Sequence, residues 1–186
     1  VELDSAQLML KGGFSPEAWD RKEGETLVSA GENFEGGAHL FDVENGDLRF
    51  EDITLTNSGV KGSLIQLSGK NSSLEVKDSR LVHTGGTSSG LVDLRSGGLR
   101  LENSRIEAGP VQTGHVIRIA GGTAVLNGSD LMGGSGSGEL RFILLEDGSA
   151  EFVDCSVHPG SGKSITAVYA EDSTVRVSAS GISSGS

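Results

Sequence analysis

Cysteine is almost missing from this chain of 186 residues, with Cys155 standing alone. No disulfide can form within the chain, and no thiolate cluster can hold a metal. Positive charge is also short: Lys and Arg total 15 against 26 Asp and Glu, a formal net charge of −11. That balance excludes nucleic acid as a partner, and no basic patch interleaved with aromatics reverses it. Aromatics are 4% of residues, few for a surface that stacks on sugar rings. No apolar run is long enough to cross a membrane as a helix, so no membrane insertion by this segment is expected. No signal-peptide pattern is read at this N-terminus, which says little because the chain opens as if mid-strand at Val1. The lack of paired cysteines leaves the compartment open, because an oxidising environment does not require them. No cofactor is expected.

Glycine, by contrast, is plentiful at 29 residues, and it falls in a repeat. Aligned apolar residues open successive units at Leu48, Leu74, Leu99, Ala124, Ala150 and Val175, in steps of 26, 25, 25, 26 and 25. Two residues on stand Phe50, Val76, Leu101, Leu126, Phe152 and Val177; seven residues on stand Leu55, Leu81, Ile106, Leu131, Val157 and Ile182. A register held without insertion across these positions marks a repeat architecture.

Each unit carries short runs of period two, the mark of strands with one buried face. In one unit these are Leu48 to Phe50, Ile53 to Leu55 and Ile65 to Leu67. A kink residue separates the first two runs: Asp52, Asp78, Asn103, Gly128, Asp154 and Ala179 in turn. Asp, Asn and Gly tolerate the left-handed backbone and turn the chain sharply. A glycine follows the second run (Gly59, Gly85, Gly109, Gly133, Gly160, Gly185), and Pro110 and Pro159 sit in the same loop. The third run ends five residues before the next unit opens, except after Leu67, where the gap is seven.

Three short strands per stacked turn describe an all-β solenoid, the parallel β-helix. Hexapeptide coils have shorter turns of about 18 residues, so a turn of about 25 favours the right-handed form. A leucine-rich repeat needs L-x-x-L-x-L-x-x-N spacing, which Leu99 to Asn103 does not provide. Stacked turns bring equivalent outward residues to about 4.8 Å, where like charges repel. The column Arg49, Glu75, Arg100, Val125, Glu151, Arg176 alternates in sign wherever charges are neighbours, as do Glu51, Lys77, Glu102 and the pair Asp93, Arg118.

Six regular coils are therefore expected over residues 47–186, following irregular N-terminal coils or a cap over residues 1–46. Both ends look cut from something longer. The stretch LKGGFSPEAWDRKEGETLVSAG, from Leu10 to Gly31, resembles the opening of exported bacterial β-helix proteins, which implies a packing role for Trp19. Phe34 to Ala38 is similar to the GGA motif of chlamydial polymorphic outer-membrane proteins, though it occurs once and without a partner F-x-x-N. From Asp47 on, the L-x-L-x-N-S-x-I units resemble the repeats of pectate-lyase-like folds and of secreted surface proteins. This resemblance covers about three-quarters of the chain. It implies a right-handed parallel β-helix and an extracellular or bacterial outer-surface location.

Sugar-cleaving enzymes of that fold place their cleft on the third-strand face. Here that face offers His39, Asp42, Asp93, His115, Arg118 and Tyr169. An acid–base pair needs two carboxylates within about 5–10 Å. Asp42 and Asp93 lie two turns apart, about 10 Å, with Gln66 between them. Asp93 beside Arg118 reads first as a charge ladder. As a catalytic set the weak candidates are Asp93, His115 and Arg118; as a binding face, Asp42, Asp93, Arg118 and Tyr169. The column Asp52, Asp78, Asn103 reads as a turn ladder, because calcium needs six or more converging oxygens. No metal site is expected. Cys155 replaces a serine in the column Ile53, Ser79, Ser104, Ser129, Ser180 and reads as a small buried corner residue.

The expected function is a non-catalytic β-helix module for adhesion, display or stalk duty on a larger bacterial protein, with a host or matrix surface or a glycan as partner. The first alternative is a polysaccharide lyase or glycoside hydrolase acting on acidic polysaccharide. The second, a phage or fibre shaft, requires trimerisation that light scattering would detect. The oligomeric state is left open by the sequence.

Overall fold

The computed structural model describes residues 1–12, 26–29, 39–57, 63–83, 90–110 and 114–184. Trp19, the segment Phe34 to Ala38, and the loop residues Gly59, Gly85 and Gly185 lie outside them. Within the described residues the regular structure is entirely strand. In chain order the strands come in threes. They open with β1 (Glu2–Asp4), β2 (Gln7–Lys11) and β3 (Thr26–Ser29), followed by β4 (Phe41–Glu44), β5 (Asp47–Glu51) and β6 (Ile53–Asn57). Next come β7 (Ile65–Ser68), β8 (Ser73–Lys77) and β9 (Arg80–His83), then β10 (Val92–Leu94), β11 (Gly97–Glu102) and β12 (Arg105–Ala108). β13 (Gly114–Ala120), β14 (Gly122–Asn127) and β15 (Asp130–Met132) precede β16 (Ser135–Glu146), β17 (Ser149–Val153) and β18 (Ser156–His158). The last triplet is β19 (Ser161–Glu171), β20 (Thr174–Ser178) and β21 (Gly181–Ile182).

Every third strand joins the same sheet, giving three parallel sheets of seven strands. The chain is a parallel β-helix. Its register is the one the repeat requires: Leu48, Leu74, Leu99, Ala124, Ala150 and Val175 are successive Cα partners. Strands β1, β2 and β3 pair in parallel with β4, β5 and β6, so residues ahead of position 47 already contribute paired strands.

Alternation along each strand sends one residue inward and the next outward. The inward columns are almost closed to solvent. Leu55, Leu81, Ile106, Leu131 and Val157 are all at 0% exposure. Phe50 and Phe152 fill the first-strand column at the same 0%, and Phe41 meets Phe50 edge to face, with ring centroids 5.3 Å apart. At the C-terminal strands, Val177 is 47% and Ile182 40% exposed.

The corners explain where the polar residues went. Asp52, Asp78, Asn103, Gly128, Asp154 and Ala179 all have positive φ, between 47° and 57°. This is the left-handed turn that the kink column predicts. A second left-handed corner, between the third and first strands, uses Ser5, Asn45, Gly69, Gly121, Asp147 and Asp172. The two extra residues after Leu67 are absorbed there by a turn in which the Ser72 amide donates to the Gly69 carbonyl at 3.1 Å.

Beside the first corner the serine column forms a continuous hydrogen-bonded stack. The amides of Ile53, Ser79 and Ser104 donate to the hydroxyls of Ser79, Ser104 and Ser129 one coil on, at 3.2, 3.2 and 3.1 Å. Each of those hydroxyls donates in turn to the carbonyl two residues back, of Lys77, Glu102 and Asn127 respectively. Cys155 occupies the equivalent place. Its thiol lies 3.2 Å from the Val153 carbonyl and its amide donates to Ser180 Oγ at 2.9 Å. Burial pushes the thiol pKa up, against the pull of a hydrogen bond from the Ser129 amide. An inert, ladder-filling thiol results.

Candidate functional site on the third-strand face

The outward column of the third-strand sheet runs Asp42, Gln66, Asp93, Arg118, Leu144, Tyr169, each the Cα partner of the next. Gln66 separates the two aspartates, donating from Nε2 to Asp42 Oδ1 at 3.2 Å. Asp42 and Asp93 therefore do not face each other across an open space.

Asp93 is 8% exposed and is held from two sides. Arg118 Nη1 lies 3.4 Å from Asp93 Oδ1, and Arg95 Nε lies 3.3 Å from Asp93 Oδ2. Arg118 also turns its other edge to Glu146, with Nε and Nη2 at 2.9 and 2.8 Å from Oε2. Burial works against the charge on Arg118, but Glu146 and Asp93 outweigh it and raise its pKa. The result is a four-residue chain, Arg95, Asp93, Arg118, Glu146, in which each charge meets its opposite.

His115 is the second residue of the strand that carries Arg118 and is half-buried. Burial lowers its pKa; Asp93 and Glu146 push the other way, while Arg118 adds to the lowering. The imidazole thus stands in the field of two carboxylates and one guanidinium, with burial working against its charged form. His39 is apart from this group, its Nδ1 lying 2.9 Å from Ser63 Oγ and 3.1 Å from the Ser63 carbonyl. Tyr169 is tied up differently. The guanidinium carbon of Arg141 sits 4.2 Å from its ring centroid, a cation–π contact, and Arg141 also pairs with Glu139 at 3.1 Å.

The structure thus gathers Asp93, Arg118 and, through its electrostatics, His115, and leaves Asp42, His39 and Tyr169 in other pairings. It adds Arg95, Glu146 and Arg141, which the column alignment passed over. Arg141 was legible in principle, since it is the register partner of His115 one coil on. Arg95 and Glu146 were not, because they sit at the strand ends, where the chain leaves the period-two pattern for the corner.

Next to Arg118 and Glu146 an open groove of about 510 Å³ runs along the corner, lined also by Gly121, Asp147, Glu171 and Asp172. Here the sign alternation of the other columns breaks down: Glu146 and Glu171 are direct register partners. On the second-strand sheet Arg80 and Arg105 also stack like on like, and Glu107 reconciles them by pairing with both. Its hydrogen bond to Arg80 holds the Glu107 carboxyl below the usual range. Among the described residues no three His, Cys, Asp or Glu side chains converge as a metal-binding set. Asp52 and Asp78 are corner residues, with Asn103 Nδ2 donating to Asp78 Oδ1 at 3.4 Å.

No protein-family model, no curated protein and no solved structure matches this chain.

Proposed function

We propose that the chain is a non-catalytic β-helix module, a stalk or adhesive display surface of a larger bacterial protein exposed at the cell surface or secreted. The observation that carries this reading is the mutual neutralisation of Asp93, Arg118 and Glu146 at 3.4 and 2.8 Å. A general base must be free to take a proton, and a carboxylate clamped by two guanidiniums is a poor base. The same pairs run along the solenoid axis, where they join one coil to the next. A host or matrix surface, or a glycan, is the partner proposed for this repetitive chain of net acidic charge. Binding of the intact chain to arrays of matrix proteins and glycans tests this. Retention on at least one such surface supports adhesion, and no retention on any leaves a spacer.

One observation favours a second reading. His115, whose charged form burial disfavours, shares its surroundings with Asp93, Arg118 and Glu146, and histidine and carboxylates are the side chains that general acid–base chemistry uses. Turnover of an acidic polysaccharide by the chain, abolished in Asp93→Asn, would establish that reading and remove the first.

A further inference from the structure

His83 is the last residue of β9 and points inward, on the same side of the strand as Leu81. It is 2% exposed, and neither ring nitrogen has a hydrogen-bond partner. Buried polar atoms are almost always paired, so a doubly unpaired imidazole is an exception that asks for a reason. The other histidines with described contacts, His39 and His158, both bond to serines.

Among the described residues, none pairs with His83 when it is charged. On β9 itself Arg80 points outward. From β12 the register partner is Ala108, and the charged residues of that strand, Arg105 and Glu107, face outward and pair with each other. β6 carries no titratable residue, and its partner for His83 is Asn57. The inward residues Leu55, Leu81 and Ile106 of these three strands belong to the apolar core. The pKa of His83 is lowered from the ordinary 6.5 by burial alone, with no charged group contributing.

We propose that His83 is an acid-operated break in the solenoid, opening the β6–β9–β12 stack when its ring takes a proton. Both nitrogens of an imidazolium are donors. Among the described residues neither ring nitrogen meets an acceptor, so the charged ring must leave for solvent. As it leaves, it pulls the end of β9 from its neighbours, including the bond from the Gly109 amide to the His83 carbonyl. A solenoid is held together by contacts between adjacent coils. Opening one therefore uncouples the strands before β9 from those after β12, and changes the length and stiffness of the module in acid.

The direction follows from linkage. The closed coil has the lowered pKa, so the open coil binds more protons below about 6.5, and stability falls with falling pH across that window. Above the window the full stability is present.

Hydrogen exchange of the intact chain at several pH values tests this, read as protection factors so that the intrinsic pH dependence of exchange cancels. Protection across Leu81–His83 and Arg105–Ala108 is expected to fall by up to about tenfold per pH unit below about 6.5. Protection in β14 and β17 should stay nearly level. His83→Leu should remove the difference between the two regions, and His115→Gln should leave it in place. An equal slope in all four strands, or an unchanged slope in His83→Leu, overturns the proposal. Should that variant fail to fold, proton NMR of the native chain decides: a His83 ring that titrates near 6.5 with β9 still protected overturns it too.

Discussion

The amide of Ser79 donates to the hydroxyl of Ser104 one coil away, at 3.2 Å, and that hydroxyl passes the bond on to the carbonyl of Glu102 at 2.8 Å. At 3% exposure, Ser104 is thus the acceptor for a buried backbone group that water cannot reach. Ser104→Ala leaves that amide unpaired and should cost about 1–3 kcal/mol in urea denaturation. Cys155→Ser keeps an acceptor at the same place and should change stability by under about 1 kcal/mol. Cys155→Val deprives the Ser129 amide and should cost as much as Ser104→Ala.

That stack shows what was open to reading in the sequence and what was not. The serine column, the kink column and the inward columns all recur at a fixed period, and position within a period is what stacking enforces. Recurrence therefore revealed the strands, their register and the corner at Asp52, Asp78 and Asn103. The second corner escaped although its members, Ser5, Asn45, Gly69, Gly121, Asp147 and Asp172, draw on much the same tolerant residue types. The two extra residues after Leu67 interrupt the spacing that would have aligned them. The charge chain was half legible for a related reason. Asp93 and Arg118 are direct partners across one coil, whereas Arg95 and Glu146 reach them from strand ends, by side-chain length that a column alignment does not carry. His83 falls in a column, Asn57, His83 and Ala108, that shares no residue type. Its burial depends on which way β9 faces at its end.

The left-handed corner makes a prediction of opposite signs at two equivalent positions. A Cβ on Gly128 would stand 2.7 Å from Asn103 Oδ1, at a φ of +56°. Gly128→Ala should cost about 1–3 kcal/mol. Ala179 already has φ of +48° with a Cβ in place. Ala179→Gly relieves that strain and should gain about 0.5–1 kcal/mol. Thermal melts of the two variants check both signs.

Core truncations should grade along the solenoid. Phe152 is fully enclosed and Val177, its register partner, is 47% exposed. Phe152→Ala opens a cavity between coils and should cost about 3–5 kcal/mol. Val177→Ala, one strand further on, removes contacts that solvent already interrupts and should cost under about 1 kcal/mol. Equal losses in chemical denaturation would mean that Val177 is covered in solution.

The pair Asp93 and Arg118 separates a structural role from a chemical one. Arg118→Gln removes one of the two guanidiniums on the Asp93 side chain, which is 11% exposed, and also strands Glu146. Since the Arg118 side chain keeps 30% of its exposure, water softens the loss, and about 1–2 kcal/mol is expected. Asp93→Asn alone leaves Arg118 facing Glu146 and should cost less. In the double variant the two losses should fall short of their sum by about 0.5–2 kcal/mol, the coupling of the pair. High salt should shrink that coupling only slightly, because Asp93 is shielded from it. A coupling near zero would leave the pair without a structural role, and the acid–base reading of Asp93 and His115 would then be the stronger account of why this face holds them.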